Sequence, residues 1–480
     1  MVSRSPTGTP TVSRRRFLRF GAGAVAGTLG TAGCLGERGG DAADPTEAAP
    51  ADASPADDAP PLDDGPTTRP GDLPEWTPDW TVSFDDSNVL GLDVDEATAS
   101  GDTDADLLYA TLSDDEGSSA VAAIDPAERS TVWRREMEGE AVGGSHAAYG
   151  RIARGGWGVT LTDDALYAVA GAADEREWTA LHAFDRASGD RRWTFERDRE
   201  LAVAGVSEGL VVARGLEFFP PPGVTPTSHQ TPEEPLATVV YAIDATDGRL
   251  AWKREFTAVR DVAVSSRGAC VATDDRLAGL DRDGDDRFAL DATPATWVEV
   301  ADDRLFVLSG AGEGATLSGV APNGDVDWRL DAPVEELLLD GDRLYAGGEA
   351  VLAVETDGSV VWRDDDYGQW LLLAPDGDAL YTRSGVGADA ATAYDVSGAE
   401  RWTFAPPSND AWPEAATADA MVATAITGET ADEPFKTVYA VDGDGEATAA
   451  RGIDTVFDAI GLDGTAYLAD GESNLHALSL

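Results

Sequence analysis

Lysine is nearly absent from this 480-residue chain: of 35 basic residues only Lys253 and Lys436 are lysine, against 89 aspartates and glutamates. The formal net charge of −54 argues against nucleic acid as a partner, because phosphate binding needs clustered Lys and Arg and a surface this acidic repels a polyanion. Cysteine is equally scarce. Cys34 and Cys270 alone make no disulfide framework, and of the four histidines, His182, His229 and His476 are isolated. Nucleophile motifs and glycine-rich phosphate loops are missing too, which leaves no catalytic residue to assign. What is present is a 42% hydrophobic composition, enough for a core and too much for wholesale disorder. An Asp-rich, Lys-poor surface suits a soluble protein in near-saturating salt, so a halophilic archaeon is the expected source. Most carboxylates then serve solvation, and acidic clusters are discounted as sites.

The first segment reads as export and anchor. Ser13 to Arg19 is S-R-R-R-F-L-R, followed by a Gly/Ala-rich run from Phe20 to Ala32. This resembles a twin-arginine signal with Arg14 and Arg15 as the pair, and the run is too short and weakly apolar for a membrane span. Thr31 to Cys34, T-A-G-C, resembles a lipobox, which implies lipidation at Cys34 and a location on the outer face of the cytoplasmic membrane. Five arginines and no acid precede Cys34, so processing would move the charge from −54 to −59. The expected organisation is a signal peptide over 1–33, a disordered Ala/Asp/Pro-rich stalk over 34–75 and a folded domain over 76–480.

The folded part repeats. A short apolar strand of the type L-Y-A leads to a strand ending in apolar-x-Asp, then a Gly turn, then a strand carrying Trp. Leu166 to Ala168 with A-F-D-R-A-S-G-D-R-R-W (Ala183 to Trp193), A-I-D-A-T-D-G-R-L-A-W (Ala242 to Trp252) and A-Y-D-V-S-G-A-E-R-W (Ala393 to Trp402) are the best copies. Weaker ones end at Trp133, Trp328 and Trp362, with Phe288 and Ala449 where Trp is expected. The spacing is that of a four-stranded propeller blade. In each copy the Asp suits turn amides, the Gly a positive φ, and the Trp the wedge between blades.

These copies resemble the PQQ-like β-propeller family, whose repeat is A-x-D-x-x-T-G-x-x-x-W. The resemblance implies an all-β propeller of four-stranded blades. Eight is the commoner number in the family and is the expectation, while a strict count of units gives nine. The missing strand of the last blade is expected from Asp79 to Phe84, D-W-T-V-S-F, closing the ring.

In a four-stranded meander, the connection between blades and the loop between second and third strands share one face. Long excursions fall mainly there: Met137 to Gly156, Arg214 to Thr238 and Ala405 to Ala411, with Asp93 to Asp106 opposite. That looped face is the candidate binding surface. Its first insertion carries His146, Arg151, Arg154 and Trp157 with no acid, and suits an anionic group or simply pairs with neighbouring carboxylates. Trp157, Trp297, Trp370 and Trp412 each precede an L-Y-A-type strand by eight to ten residues. They are candidates to ring the channel mouth and stack on a planar or sugar-like ligand, or to pack between blades.

Functionally the sequence favours a non-catalytic binding or scaffold module for a protein, peptide or glycan, with no cofactor and no metal. The alternative implied by the resemblance is a quinoprotein dehydrogenase holding PQQ with Ca²⁺. It lacks the Cys-Cys pair frequent in such enzymes, Cys270 reads as a buried strand thiol, and Asp281, Asp283 and Asp285 align with an ordinary blade turn.

Overall fold

The computed structural model describes residues 72–480 apart from 85–86, 95–106, 115–116, 142–158, 172–177, 217–236, 292–294, 302–303, 311, 385–388, 408–410, 427–435, 454 and 471–472. The described regular structure is almost wholly strand, arranged as successive antiparallel meanders. The innermost strands, in blade order, are Ser87–Val94, a pair of short pieces (Glu140–Ala141 and Thr160–Leu161), Glu200–Ser207, Val259–Ser265, Ala295–Ala301, Val334–Asp340, Gly368–Leu373, Trp412–Ala416 and Val456–Leu462. Neighbours in this series touch, except that the short pieces of blade 2 meet the middle strands of blade 1, Leu108–Asp114 and Ser119–Asp125, and the last touches the first, so the ring is closed. The described strands thus give nine blades, the number of the strict count rather than the eight common in the family. Blades 6 and 7 remain separate meanders although one bridge, Gly348 to Gly368, merges their sheets.

Middle strands are buried along their length, as in Ser119–Asp125, whereas an outermost strand such as Arg191–Arg197 alternates exposed and buried. Both faces of a middle strand pack on neighbouring blades, while an outer strand buries chiefly its Trp side. The repeat follows from this packing. Trp133, Trp193, Trp252, Trp362 and Trp402 pair across strands with Ala123, Ala183, Ala242, Ala353 and Ala393, a small residue leaving room for the indole. At Gly319 even a Cβ would lie 2.2 Å from the Trp328 ring.

Each indole then docks on the turn of the next blade. Trp133, Trp193, Trp252, Trp328 and Trp402 donate Nε1–H to the carbonyls of Arg186, Ala245, Arg282, Thr356 and Gly443 at 2.8 to 3.1 Å. Those carbonyls belong to the residue after the turn acid; where that acid is aspartate its carboxylate caps turn amides, as Asp244 does for Thr246 N at 2.8 Å, whereas Glu355 pairs with Arg343 and Asp357 caps Ser359 N. The turn glycine takes a positive φ (Gly248, 73°), and a side chain there would strike the docked ring, Trp193, at 2.8 Å.

The N-terminal segment completes two blades. Trp80–Ser83 pairs with Asn474–Ser479 as the outermost strand of blade 9, as the sequence leads one to expect, and Trp80 faces Ala477 like any blade tryptophan. The preceding residues repair blade 8, where Ala449 replaces Trp. Trp76 N donates to Ala450 O and Ala450 N to Pro74 O. The Trp76 indole is buried among Val438, Ile453, Val456 and Leu468 between blades 8 and 9, and donates to Ser479 O at 3.1 Å.

The candidate functional site

Because the blades are meanders, each innermost strand begins on the looped face. Every innermost strand except the broken one of blade 2 carries a register shift. Such bulges bend the strand and re-aim side chains. Acids near the bulges bind backbone of the next blade. Asp261 accepts Val262 N at 2.9 Å and, across the seam, Val298 N at 2.8 Å. Asp458 accepts Ala459 N at 2.8 Å and Leu92 N at 2.7 Å. Glu336 accepts Leu371 N at 3.3 Å. These carboxylates staple blades together, which accounts for acids in the ring without assigning them chemistry.

At the mouth between blades 6, 7 and 8 the pattern changes. Gln369 Nε2 donates to Glu335 Oε2 at 2.5 Å, and Gln369 is the cross-strand partner of Arg383. The Arg383 guanidinium lies 3.6 Å from the centre of the Trp412 ring, and Trp370 stands edge to face against Trp412 with centroids 4.8 Å apart. Trp370 is at φ 64° inside a strand. The other described non-glycine residues with positive φ, Arg129, Glu208, Ala258, Asp463 and Ser473, all lie between strands. A bulky residue in this region stores strain of about 1–3 kcal/mol. Its indole N–H is also buried without an acceptor.

The sequence candidates divide accordingly. Trp370 and Trp412 meet; Trp297 sits two blades from Trp370, half-buried, with Nε1 3.4 Å from Glu299 Oε1. Trp157, His146, Arg151 and Arg154 lie outside the described residues, as do Arg14, Arg15, Cys34 and His229, and most of the long excursions. Gln369, Arg383 and Glu335 were not singled out by sequence: they are ordinary polar residues until the bulge and the ring bring them beside the tryptophans.

The remaining chemical candidates are structural. Asp281 accepts the amides of Asp283 and Asp285 at 2.9 and 2.8 Å, a turn like the others. Cys270 is buried, and burial pushes its thiol pKa up. His476 lies between Asp470 (Nε2 to Oδ2, 2.7 Å) and Thr81 (Nδ1 to Oγ1, 2.9 Å), tying the first strand to the last blade. His182, at the same repeat position in blade 2, meets Thr194 at 3.1 Å through Nδ1, but its buried Nε2 has no partner. Burial, with Arg191 nearby, lowers its pKa to about 4. Among the described residues no group of three or more His, Cys, Asp or Glu side chains is placed to hold a metal ion. Cys270 is the only cysteine among the described residues, so no adjacent cysteine pair stands among them.

A closed ring of four-stranded blades whose seams are docked by indoles defines a repeat β-propeller. A PQQ-repeat family model described as outer membrane protein assembly factor BamB matches residues 117–285 and, overlapping, 236–371. Together these cover more than half of the chain, and the chain belongs to that family. No curated protein matches it. Similar solved structures include a europium-containing methanol dehydrogenase (12% identity, 82% of this chain and 84% of that one, TM-score 0.45). Another is Saccharomyces cerevisiae Sqt1 (10%, 85% and 99%, TM-score 0.45). The computationally designed Ika8 protein is a third (11%, 67% and 95%, TM-score 0.44). At these identities and scores none of them informs the chemistry of this chain.

Proposed function

We propose that the protein is an exported, lipid-anchored propeller of a halophilic archaeon, held at the outer face of the cytoplasmic membrane through Cys34. It acts there as a non-catalytic binding or scaffold module whose looped face engages a protein, peptide or glycan. The observation that carries this reading is asymmetry. Most turns on one face are short and capped by their own aspartates, with 95–106 the exception, whereas the connections 217–236 and 427–435 leave the opposite face. The insertion expected between blades from Met137 to Gly156 instead interrupts the innermost strand of blade 2: Glu140–Ala141 and Thr160–Leu161 both pair with Ala165–Gly171, and 142–158 leaves between them. A stapled ring whose loops between second and third strands grow on one side is suited to recognition. The family model's description, an assembly factor, supports a scaffold rather than an enzyme.

Anchor and binding are tested separately. Cys34→Ser should release the protein into the medium, and retention on the membrane refutes the anchor. Deleting 142–156 should abolish recovery of a cross-linked partner from intact cells; unchanged recovery removes the looped face. Stoichiometric binding of PQQ with Ca²⁺, together with dye reduction by an alcohol or sugar, would overturn the scaffold reading in favour of a dehydrogenase.

A further inference from the structure

We propose that the mouth between blades 6, 7 and 8 is a binding site for a neutral oligosaccharide, an inference that deepens the reading of the looped face and rests on it. The side chains gathered there form a mixed polar and aromatic set. Glu335 supplies acceptors, Gln369 both donor and acceptor, and Arg383 donors, in planar groups linked across adjacent strands. Trp412 and Trp370 supply aromatic surface beside them. Vicinal hydroxyls need neighbouring donors and acceptors, and the C–H face of a pyranose packs on an indole. A uronate or other anion would meet Glu335 and Glu336. A basic peptide would meet Arg383, which already occupies the indole face open to a cation. An uncharged polyol avoids both repulsions.

Trp370 supplies the second argument. Its N–H is buried without an acceptor, whereas five blade indoles each reach a carbonyl. Its backbone at φ 64° is the one non-glycine case inside a described strand. Two unfavourable features at one residue of a mouth persist where a ligand relieves them. A sugar hydroxyl provides the missing acceptor as the ring shifts.

The test uses the full chain in molar KCl, titrated with maltohexaose, cellohexaose and chitohexaose, with hexagalacturonate and an arginine-rich peptide as charged counterparts. Binding is followed by tryptophan fluorescence and calorimetry. The expected result is saturable binding of at least one neutral hexamer and none of the charged probes. Trp412→Ala should weaken it at least tenfold, Trp412→Phe by less, and Val360→Ser, exposed on an outermost strand, should leave it unchanged. No binding by any neutral hexamer, equal binding by Trp412→Ala, or preference for a charged probe overturns the proposal. Partner recovery that depends on 142–156 in a protein that binds no sugar removes this inference and leaves the looped-face reading standing.

Discussion

Two seams of the ring solve the same packing problem from opposite positions. Between blades 8 and 9 the repeat has lost its tryptophan to Ala449, yet the indole is replaced from outside the repeat by Trp76, complete with a hydrogen bond to Ser479 O. Between blades 6 and 7 the repeat has kept Trp362, but its buried N–H has no partner. The docking carbonyl in every regular seam follows the turn acid, and here that position is Val396, after Asp395. Arg343 Nη1 donates to Val396 O at 3.1 Å instead. Having the consensus residue is therefore neither necessary nor sufficient for a regular seam; what matters is whether an indole and its carbonyl meet.

The sharpest break of this comparison is at Trp76. Truncating a large buried aromatic costs about 3–5 kcal/mol, and Trp76→Ala also strips the seam that joins the chain's two ends. Trp362→Ala loses a comparable ring but no hydrogen bond, so it should fall below Trp76→Ala by about 1 kcal/mol. Guanidinium unfolding in molar KCl measures both. If Trp76→Ala unfolds within about 1 kcal/mol of the wild type, the N-terminal segment is an ornament and not the clasp of blade 8.

The paired histidines carry the comparison to titration. His476 has partners on both nitrogens in the closing seam, while His182 is satisfied on one side only. With its folded pKa lowered to about 4, His182 binds fewer protons in the folded than in the unfolded chain, where the value is near 6.5. Stability from this group is therefore full above pH 6.5 and falls as pH drops toward 4, by about 3 kcal/mol. His182→Leu should flatten that segment of the stability profile. A slope between pH 6.5 and 4 identical to that of the wild type would show that burial does not hold the imidazole neutral.

Much of this architecture is legible in the sequence, and the part that is not has a common cause. Asp, Gly and Trp at fixed offsets report local geometry, an amide cap, a positive φ and a ring over an alanine, so the blades and the closing strand can be read directly. Nine emerges from counting units, whereas eight rests on family habit. Trp76 escapes because its role depends on Ala449, hundreds of residues away and visible only as a gap in the repeat. The mouth is half legible: Trp370 and Trp412 stand at the expected starts of innermost strands, while Trp297 starts another strand and meets Glu299. Gln369 and Arg383 carry no motif, since a strand bulge and the neighbouring blade bring them to the indoles.

The smallest expected effect tests the other side of the seam comparison. Arg343 also pairs with Glu355 at 2.8 Å, with the two side chains 29% and 38% exposed, so that ion pair contributes little in high salt. Arg343→Leu removes it together with the bond to Val396 O and frees this carbonyl for Trp362, a bond of about 1 kcal/mol. Loss and gain should nearly cancel, leaving stability within about 1 kcal/mol of the wild type. The change appears instead at the indole. The Trp362 Nε1–H resonance should move downfield in ¹H–¹⁵N spectra as the bond forms, while those of Trp193 and Trp402 stay fixed. An unmoved Trp362 signal would mean that the 6/7 seam is set by its stacking on Tyr394, with rings 5.6 Å apart and 20° from parallel, and not by competition for a carbonyl.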